Sequence, residues 1–316
     1  VEDSSSGLKG AWVIHNPASG FRDAGADLER ALDYLSHRGW ALTVKETGGR
    51  GDAESLARDA AIEGANAVII AGGDGTINEA VNGLAGTDVA LGVLPMGTAN
   101  VWALEAGLLE RPFLKPNLLA TAKELCEGRT QRVDLGRAGD RFFLLWSGVG
   151  LDAEVLREVD PGAKRSMGLL HFLSVSFDRV RDFPRRCATL VVDGEEIRGP
   201  IILVVVSNVR LYAGVAKVAP RARIDDGLLD VCTFKGQGKL TIARHVAGVM
   251  SGSIIDNTLL DYRQAKEVEV TTEPPLPVQV DGDVVGTTPV TIGVAPLALR
   301  AIVAPRADRG LFGAEA

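Results

Sequence analysis

Cysteine is scarce in this chain. Three thiols in 316 residues, Cys126, Cys187 and Cys232, stand far apart and make neither a CxxC pair nor a disulfide framework. A reducing compartment fits this usage, and the thiols read as core fillers. The four histidines are scattered and make no metal-binding spacing, and His15 reads as packing or loop polarity rather than a base. Basic charge does not dominate. The formal net charge of −7 argues against nucleic acid as the main partner. No apolar run approaches the roughly 18 residues of a membrane-spanning helix. The opening VEDSSSGLKG is polar, lacks the apolar centre of a secretory signal and reads as a lead-in outside the fold. The expectation is a cytoplasmic protein, soluble or peripheral to a membrane. Neither GxxxxGK[ST] nor GxGxxG occurs.

What is present is a sequence of two textures. Hydrophobic residues make up 46% of the chain, enough for sizeable cores, and the length allows two modest domains. Over residues 1–130 apolar runs (11–14, 41–44, 67–71, 89–94) alternate with helix-like stretches (23–38, 52–64, 76–85, 98–107). That order predicts an α/β domain with a parallel sheet. Over residues 131–316 short β-like runs dominate (132–138, 142–150, 188–193, 201–207, 228–234, 267–272), separated by the turns DGEE, DGLL and DGDV. This half predicts a β-sandwich-rich domain, interrupted by helical stretches at 164–182 and 239–251. The closing strand 297–305 could pack in either domain.

Ligands of parallel α/β sheets bind beyond the carboxyl ends of the strands. Three polar, glycine-bearing loops fall there: NPASG (16–20), GGDGT (72–76) and PMGTAN (95–100). In GGDGTINEAVNGL the glycines allow close backbone approach, and the start of the following helix favours an anion. Asp74 would repel a phosphate unless a cation, most simply Mg²⁺, lay between them. Phosphoryl transfer from a nucleotide follows as a candidate chemistry. A strand–turn–helix junction that uses glycine for tightness fits one such loop about as well.

The ordered set of NPASG, GGDGTINEAVNGL, LPMGTANVWA, VDLG (133–136), GVGLDAEV (148–155), VAPRARIDDGLLDV (218–231) and VDGD (280–283) resembles the diacylglycerol kinase catalytic family, which includes bacterial lipid kinases, sphingosine kinases and ceramide kinases. The resemblance covers nearly the whole chain. It implies a nucleotide domain joined to a lipid-binding β-sandwich domain, with ATP in the cleft. It also implies an ATP- and Mg²⁺-dependent phosphotransferase acting on a hydroxyl of diacylglycerol, a sphingoid base or ceramide.

Residue by residue, the resemblance places Asn16 and Ser19 near the ATP phosphates and makes Thr47 a nucleotide contact. Gly72, Gly73, Asp74, Gly75 and Thr76 line the phosphates, with Asp74 close to the catalytic Mg²⁺. Glu79 falls on the first turn of the helix, and Gly97 and Thr98 bound the nucleotide. Asp226 binds a structural Mg²⁺ with the carbonyls of Arg223 and Leu228, and Asp134 joins through water. Asp283 takes the position of the base that accepts the lipid hydroxyl proton. The chain departs from the family twice. Val101 stands where an acid usually follows Asn100, and Asp283 stands where Glu is usual. The shorter side chain sets the carboxylate about 1 Å back, a displacement able to cost about 10²-fold in rate.

From the residues alone several assignments stay open. Arg22, just after NPASG, is placed to add one cationic contact to the nucleotide, and reads equally as a solvated first-turn residue. Asp283 and Asp226 both sit in DG turns, and for Asp283 spacing alone favours a β-hairpin turn. Asp152 reads as a helix cap before a substrate contact. Residues 164–186 set six basic side chains around an apolar, aromatic centre. They suit transient docking on an anionic membrane surface, and a core-packed amphipathic helix suits them slightly better. An exposed sheet edge would allow a homodimer. The alternatives to a lipid kinase are an NAD-kinase-like or other soluble-substrate kinase, and a catalytically weak nucleotide-binding regulatory protein.

Overall fold

The computed structural model describes residues 10–19, 24–112, 114–150, 153, 187–212, 214, 216–236, 238–251 and 259–313. The lead-in 1–9, Arg22, Asp152 and the stretch 164–186 lie outside the described residues. The chain divides into two compact units. One comprises Val1–Leu135, Ile224–Asp226 and Pro296–Ala316, the other Gly136–Arg223 and Gly227–Ala295.

The first unit alternates β1 (Gly10–His15), α1 (Ala24–His37), β2 (Ala41–Glu46), α2 (Asp52–Ile62), β3 (Ala67–Gly72), α3 (Asp74–Leu84), β4 (Ala90–Pro95), the short α4 (Val101–Glu105) and α5 (Leu118–Glu127). Its strands are parallel in the order β2-β1-β3-β4, and the last part of a late strand, Arg300–Ala301, continues the sheet beside Ala90–Leu91, also parallel. β3 (AVIIAG) and β4 (ALGVLP) are buried at every position. This is what a parallel sheet covered on both faces requires, and it explains why these strands read as unbroken apolar runs. The step from β1 to β2 runs one way along the sheet, and the steps to β3 and β4 run the other. With right-handed crossovers α1 covers one face and α2 and α3 the opposite one. The order therefore reverses between β1 and β3, and open α/β sheets bind their ligands at the carboxyl ends of the strands at such a point. NPASG and GGDGT flank that point.

The second unit is built from antiparallel strands. It takes in the end of β5 (Arg129–Ala138), then β6 (Arg141–Phe143), β7 (Trp146–Gly150), β8 (Cys187–Val192), β9 (Glu195–Ser207), β10 (Leu211–Tyr212), β11 (Ala216–Lys217), β12 (Leu229–Lys235), α6 (Lys239–Ser251), β13 (Leu260–Ala265), β14 (Glu267–Glu273), β15 (Pro277–Val280), β16 (Asp283–Thr287) and the first part of β17 (Val290–Val303). β9 serves two layers. Its residues up to Pro200 pair with β8, and those from Ile201 onward pair with β7 and β12. β14 alternates strictly, with Val268, Val270 and Thr272 inward and Glu267, Glu269, Thr271 and Glu273 outward, the pattern of a half-buried strand. Phe143, Val149, Leu190, Val204, Val206, Val231, Val278 and Ile292 fill the core between the layers.

Candidate active site

The three sequence-predicted loops of the first unit meet. Asn16, at the end of β1, makes the first join. Its backbone N–H donates to the Ala71 carbonyl (3.0 Å), its Nδ2 donates to Thr76 Oγ1 (2.9 Å), and its Oδ1 accepts the Ala18 N–H (3.0 Å). Ser19 closes the turn through its N–H to the Asn16 carbonyl (2.9 Å). One side chain thus shapes NPASG and ties it to GGDGT. Thr47 is buried, and its N–H donates to the His15 carbonyl (2.9 Å), which brings ETGG alongside. The amides of Gly48 and Gly49 are taken by Asp52 Oδ2 (2.7 and 2.9 Å).

GGDGT and PMGTAN meet through glycine. A Cβ on Gly97 would stand 2.6 Å from the Gly73 Cα, and one on Gly73 would stand 3.1 Å from the Gly97 Cα. At position 97 a Cβ would force the loops apart, and at position 73 it would be tight. Met96 N–H to the Gly72 carbonyl (2.8 Å) carries the β3–β4 pairing into the loops. Asn100 locks the second loop from inside. It is fully buried and left-handed (φ 50°), accepts the Gly97 N–H (2.8 Å) and donates to the Gly97 carbonyl (2.7 Å). Asn tolerates this backbone better than most residues.

Asp74 opens α3 and faces the start of α4, where its Oδ1 accepts the Trp102 N–H (3.3 Å). Desolvation by the surrounding loops pushes its carboxyl above the ordinary carboxylate range, against the opposing pull of the Val101, Trp102 and Asn100 amides. No side chain caps α3, whose first amides follow Gly73. An uncapped helix start favours a negative charge nearby, and the desolvated surroundings disfavour the ionised form of the carboxylate beside it. Thr98 is exposed at the rim of its loop. Val101, at the position of the expected acid, is buried.

One expectation needs correction. α3 begins at Asp74 rather than at Thr76, so Glu79 falls on the second turn. Its Oε2 accepts the Ala53 N–H (3.3 Å) near the start of α2. Glu79 therefore satisfies an otherwise orphaned helix amide.

In the same unit Asp134 is fully buried on β5. Its N–H donates to the Ile224 carbonyl (2.7 Å), and its Oδ1 accepts the Leu297 N–H (2.6 Å), holding that residue at φ 50°. Asp226 is exposed on the segment Ile224–Asp226, with Arg223 and Leu228 to either side of it in the sequence. Among the described residues no three His, Cys, Asp or Glu side chains cluster closely enough to hold a metal ion by themselves.

In the second unit Asp283 is half-buried and opens β16, paired with Val280. Between them Asp281 (φ 46°) and Gly282 (φ 89°) form a two-residue turn. Positive φ at both positions is the type I′ hairpin that DG favours. Sequence reasoning passed over Asp281. Its carboxylate accepts three consecutive backbone N–H groups, from Leu144 (2.9 Å), Leu145 (3.0 Å) and Trp146 (3.0 Å). It also passed over Asp230, buried on β12, which accepts from the Tyr262 hydroxyl. Burial and that carboxylate push the Tyr262 phenol far up, and its oxygen in turn accepts the Arg221 N–H (3.2 Å).

The chain has relatives among known proteins over nearly its whole length. The description "Diacylglycerol kinase catalytic domain" matches residues 10–138, and "YegS C-terminal NAD kinase beta sandwich-like domain" matches residues 147–303. A diacylglycerol kinase of Mycobacterium tuberculosis (strain H37Rv) is 31% identical over 302 residues, spanning 93% of this chain and 94% of its own. One from Bacillus subtilis (strain 168) is 28% identical over 284 residues, spanning 89% and 92%. A crystal structure of a candidate diacylglycerol kinase from Bacillus anthracis str. Sterne superposes with a TM-score of 0.82 over 98% of this chain and 99% of that one, at 24% identity, a likeness of fold. The chain belongs to the YegS-like family of bacterial lipid kinases built on a diacylglycerol kinase catalytic domain.

Proposed function

We propose that this protein transfers the γ-phosphoryl group of ATP to a hydroxyl of diacylglycerol, with Mg²⁺ as cofactor. In this reading residues 1–130 serve the nucleotide and residues 131–316 the lipid. The single observation that carries it is the joining of three loops at the strand ends, through Asn16 to Thr76, Gly73 against Gly97, and Asp74 against the start of α4. Phosphoryl transfer asks for positioning and charge neutralisation more than for covalent chemistry. Diacylglycerol is preferred over sphingoid bases and ceramide because the relatives named above are diacylglycerol kinases.

Asp74 fits a cation, because its carboxyl is desolvated and its supporting contacts are backbone amides. Bound there, Mg²⁺ would neutralise phosphate oxygens as charge shifts toward the leaving group. With Val101 apolar and buried, Asp74 would be the one carboxylate ligand from these loops. Asn16, Ser19, Thr76, Gly97 and Thr98 would hold and orient the phosphates. Asp134, Asp226 and the carbonyls of Arg223 and Leu228 would serve a second, structural Mg²⁺. Asp283 would accept the hydroxyl proton as the lipid oxygen bonds to the γ-phosphorus and the bond to the bridging oxygen breaks, releasing ADP. No helix among the described residues is long and apolar enough to cross a membrane. The lipid would be met by a peripheral enzyme on the cytoplasmic side, at an anionic membrane surface.

The test is incubation with γ-labelled ATP and Mg²⁺ over micelles of diacylglycerol, monoacylglycerol, sphingosine, ceramide or a polyprenol, with Asp74→Asn as control. Label entering diacylglycerol and lost in Asp74→Asn is expected. Label in another lipid alone would replace the substrate. ATP binding without transfer to any lipid would leave a regulatory or soluble-substrate protein.

A further inference from the structure

We infer that Asp281 is the positioning residue of the reaction, holding Asp283 where its short side chain can reach the lipid hydroxyl. This rests on the reading of Asp283 as the proton acceptor. Asp283 lies two residues beyond Asp281, directly after a turn whose two central residues, Asp281 and Gly282, both have positive φ. What fixes that turn in space is the Asp281 carboxylate. It takes three backbone N–H groups in a row, from Leu144, Leu145 and Trp146, while the Asp281 N–H donates back to the Trp146 carbonyl (2.9 Å).

The cradle is itself anchored. Buried Asn208 holds it from behind, its N–H donating to the Leu145 carbonyl (2.8 Å) and its Nδ2 to the Leu144 carbonyl (3.0 Å). On the other side the Gly282 N–H donates to Gln279 Oε1 (2.8 Å). Restraint therefore runs from Asn208 through 144–146 to Asp281, and from there to the first residue of β16. A base one methylene shorter than glutamate has less side chain with which to correct a misplaced backbone, so the backbone must be placed well.

The same unit contains its own control. Asp193 and Gly194 form a second two-residue turn, with φ 45° and 88°, between Val192 and Glu195. The Asp193 carboxylate likewise accepts backbone N–H groups, from Lys266 (3.1 Å) and Glu267 (2.9 Å). The acid two residues on, Glu195, is paired with Arg263 (2.7 Å). Both turns are the same device of architecture, and only the one at 281–282 carries the proposed base. Loss of either carboxylate should loosen a hairpin, and only one should slow phosphate transfer.

The experiment measures kcat and both KM values, with diacylglycerol in mixed micelles, for wild type, Asp281→Ala, Asp281→Asn, Asp193→Ala, Asp283→Ala and the Asp281→Ala/Asp283→Ala double variant, each with a thermal melt. Asp281→Ala should lower kcat about 10²-fold and leave both KM values within about twofold. Asp281→Asn keeps an acceptor oxygen and a side chain suited to positive φ, and should recover about tenfold of that loss. Asp193→Ala should keep kcat within about twofold. The double variant should be no slower than Asp283→Ala, because Asp281 acts through Asp283. Should Asp281→Ala fail to fold, Asp281→Asn carries the comparison. Equal loss of kcat in the Asp193 and Asp281 variants would overturn the proposal. So would full kcat in both Asp281 variants, or a further large loss in the double variant. A wild type that phosphorylates no lipid, or an Asp283→Ala that keeps full rate, would instead overturn the reading of Asp283 on which this role stands.

Discussion

Gly97→Ala is the sharpest single perturbation the structure offers. The added Cβ would lie 2.6 Å from the Gly73 Cα and 2.9 Å from Asn100 Oδ1. Carbon atoms rest at about 3.5–4.0 Å, so GGDGT and PMGTAN would have to part by about 1 Å. Gly97 is not among the residues with positive φ, so the backbone itself tolerates alanine and the penalty is one of space. Overpacking of this kind costs about 1–3 kcal/mol, equivalent to roughly 2–12 °C in the melting temperature of a unit this size. The larger effect falls on the site. If the two loops hold ATP as proposed, moving one about 1 Å from the other should cost about 10²-fold in kcat/KM for ATP. The assay pairs nucleotide titration calorimetry with kinase kinetics. Gly25→Ala on α1 serves as control, since its Cβ would meet nothing within 4 Å. A Gly97→Ala protein that bound and used ATP like wild type would refute the claim that the glycine contact shapes the site.

Two further outcomes concern charge. Desolvation raises the Asp74 carboxyl, so the folded protein holds that proton more tightly than the unfolded chain. The stability this contributes is present below the ordinary value of about 3.8 and is lost as pH rises through the raised folded value. At neutral pH without a cation the ionised group is a cost, so Asp74→Asn should melt no lower than wild type while losing phosphate transfer. A clear drop in melting temperature would mean that the carboxylate's charge serves mainly to cap α4. His245 works in the opposite direction. Burial against Phe234 (ring centroids 5.1 Å apart) pushes its imidazole down, partly offset by its bond to the Lys235 carbonyl (3.0 Å). Its contribution is complete above about pH 6.5 and is lost as pH falls through the lowered folded value. Melts between pH 7.5 and 5 should show that loss in wild type and less of it in His245→Gln, and parallel curves would contradict it.

The elements legible in the sequence were those whose periodicity is set by burial. β3 and β4 are apolar at nearly every position because both faces are covered. β14 alternates because one face is. Elements held by local capping were harder to see. α5 depends on Asn117, whose side chain accepts the Ala120 N–H, and an Asn after proline reads as loop before it reads as cap. α4 shrank to five residues because Asn100 in the left-handed region delays its start. At the site, Asn16 and Gly73 announced themselves through motif and glycine density. Asp281 did not, because its partners are backbone amides more than 130 residues away and peptide groups carry no sequence signature. Asp193 in the other DG turn looks identical on paper, and nothing short of the strand pairing tells the two apart.

The place of β17 in the first sheet has a consequence for how the molecule is made. β4 finds its second neighbour at Arg300–Ala301, about 210 residues downstream of Ala90. During synthesis at about 5–20 residues per second, that edge of β4 waits about 10–40 s for its partner to be polymerised. The first unit is thus a late folder despite lying early in the chain, and its contact order is raised accordingly. Cutting the gene after Leu135 would yield a sheet with an open apolar edge. Expressing the first unit alone would require the closing segment 296–316 to be grafted on, and a chaperone-poor host should show the truncated form as aggregate.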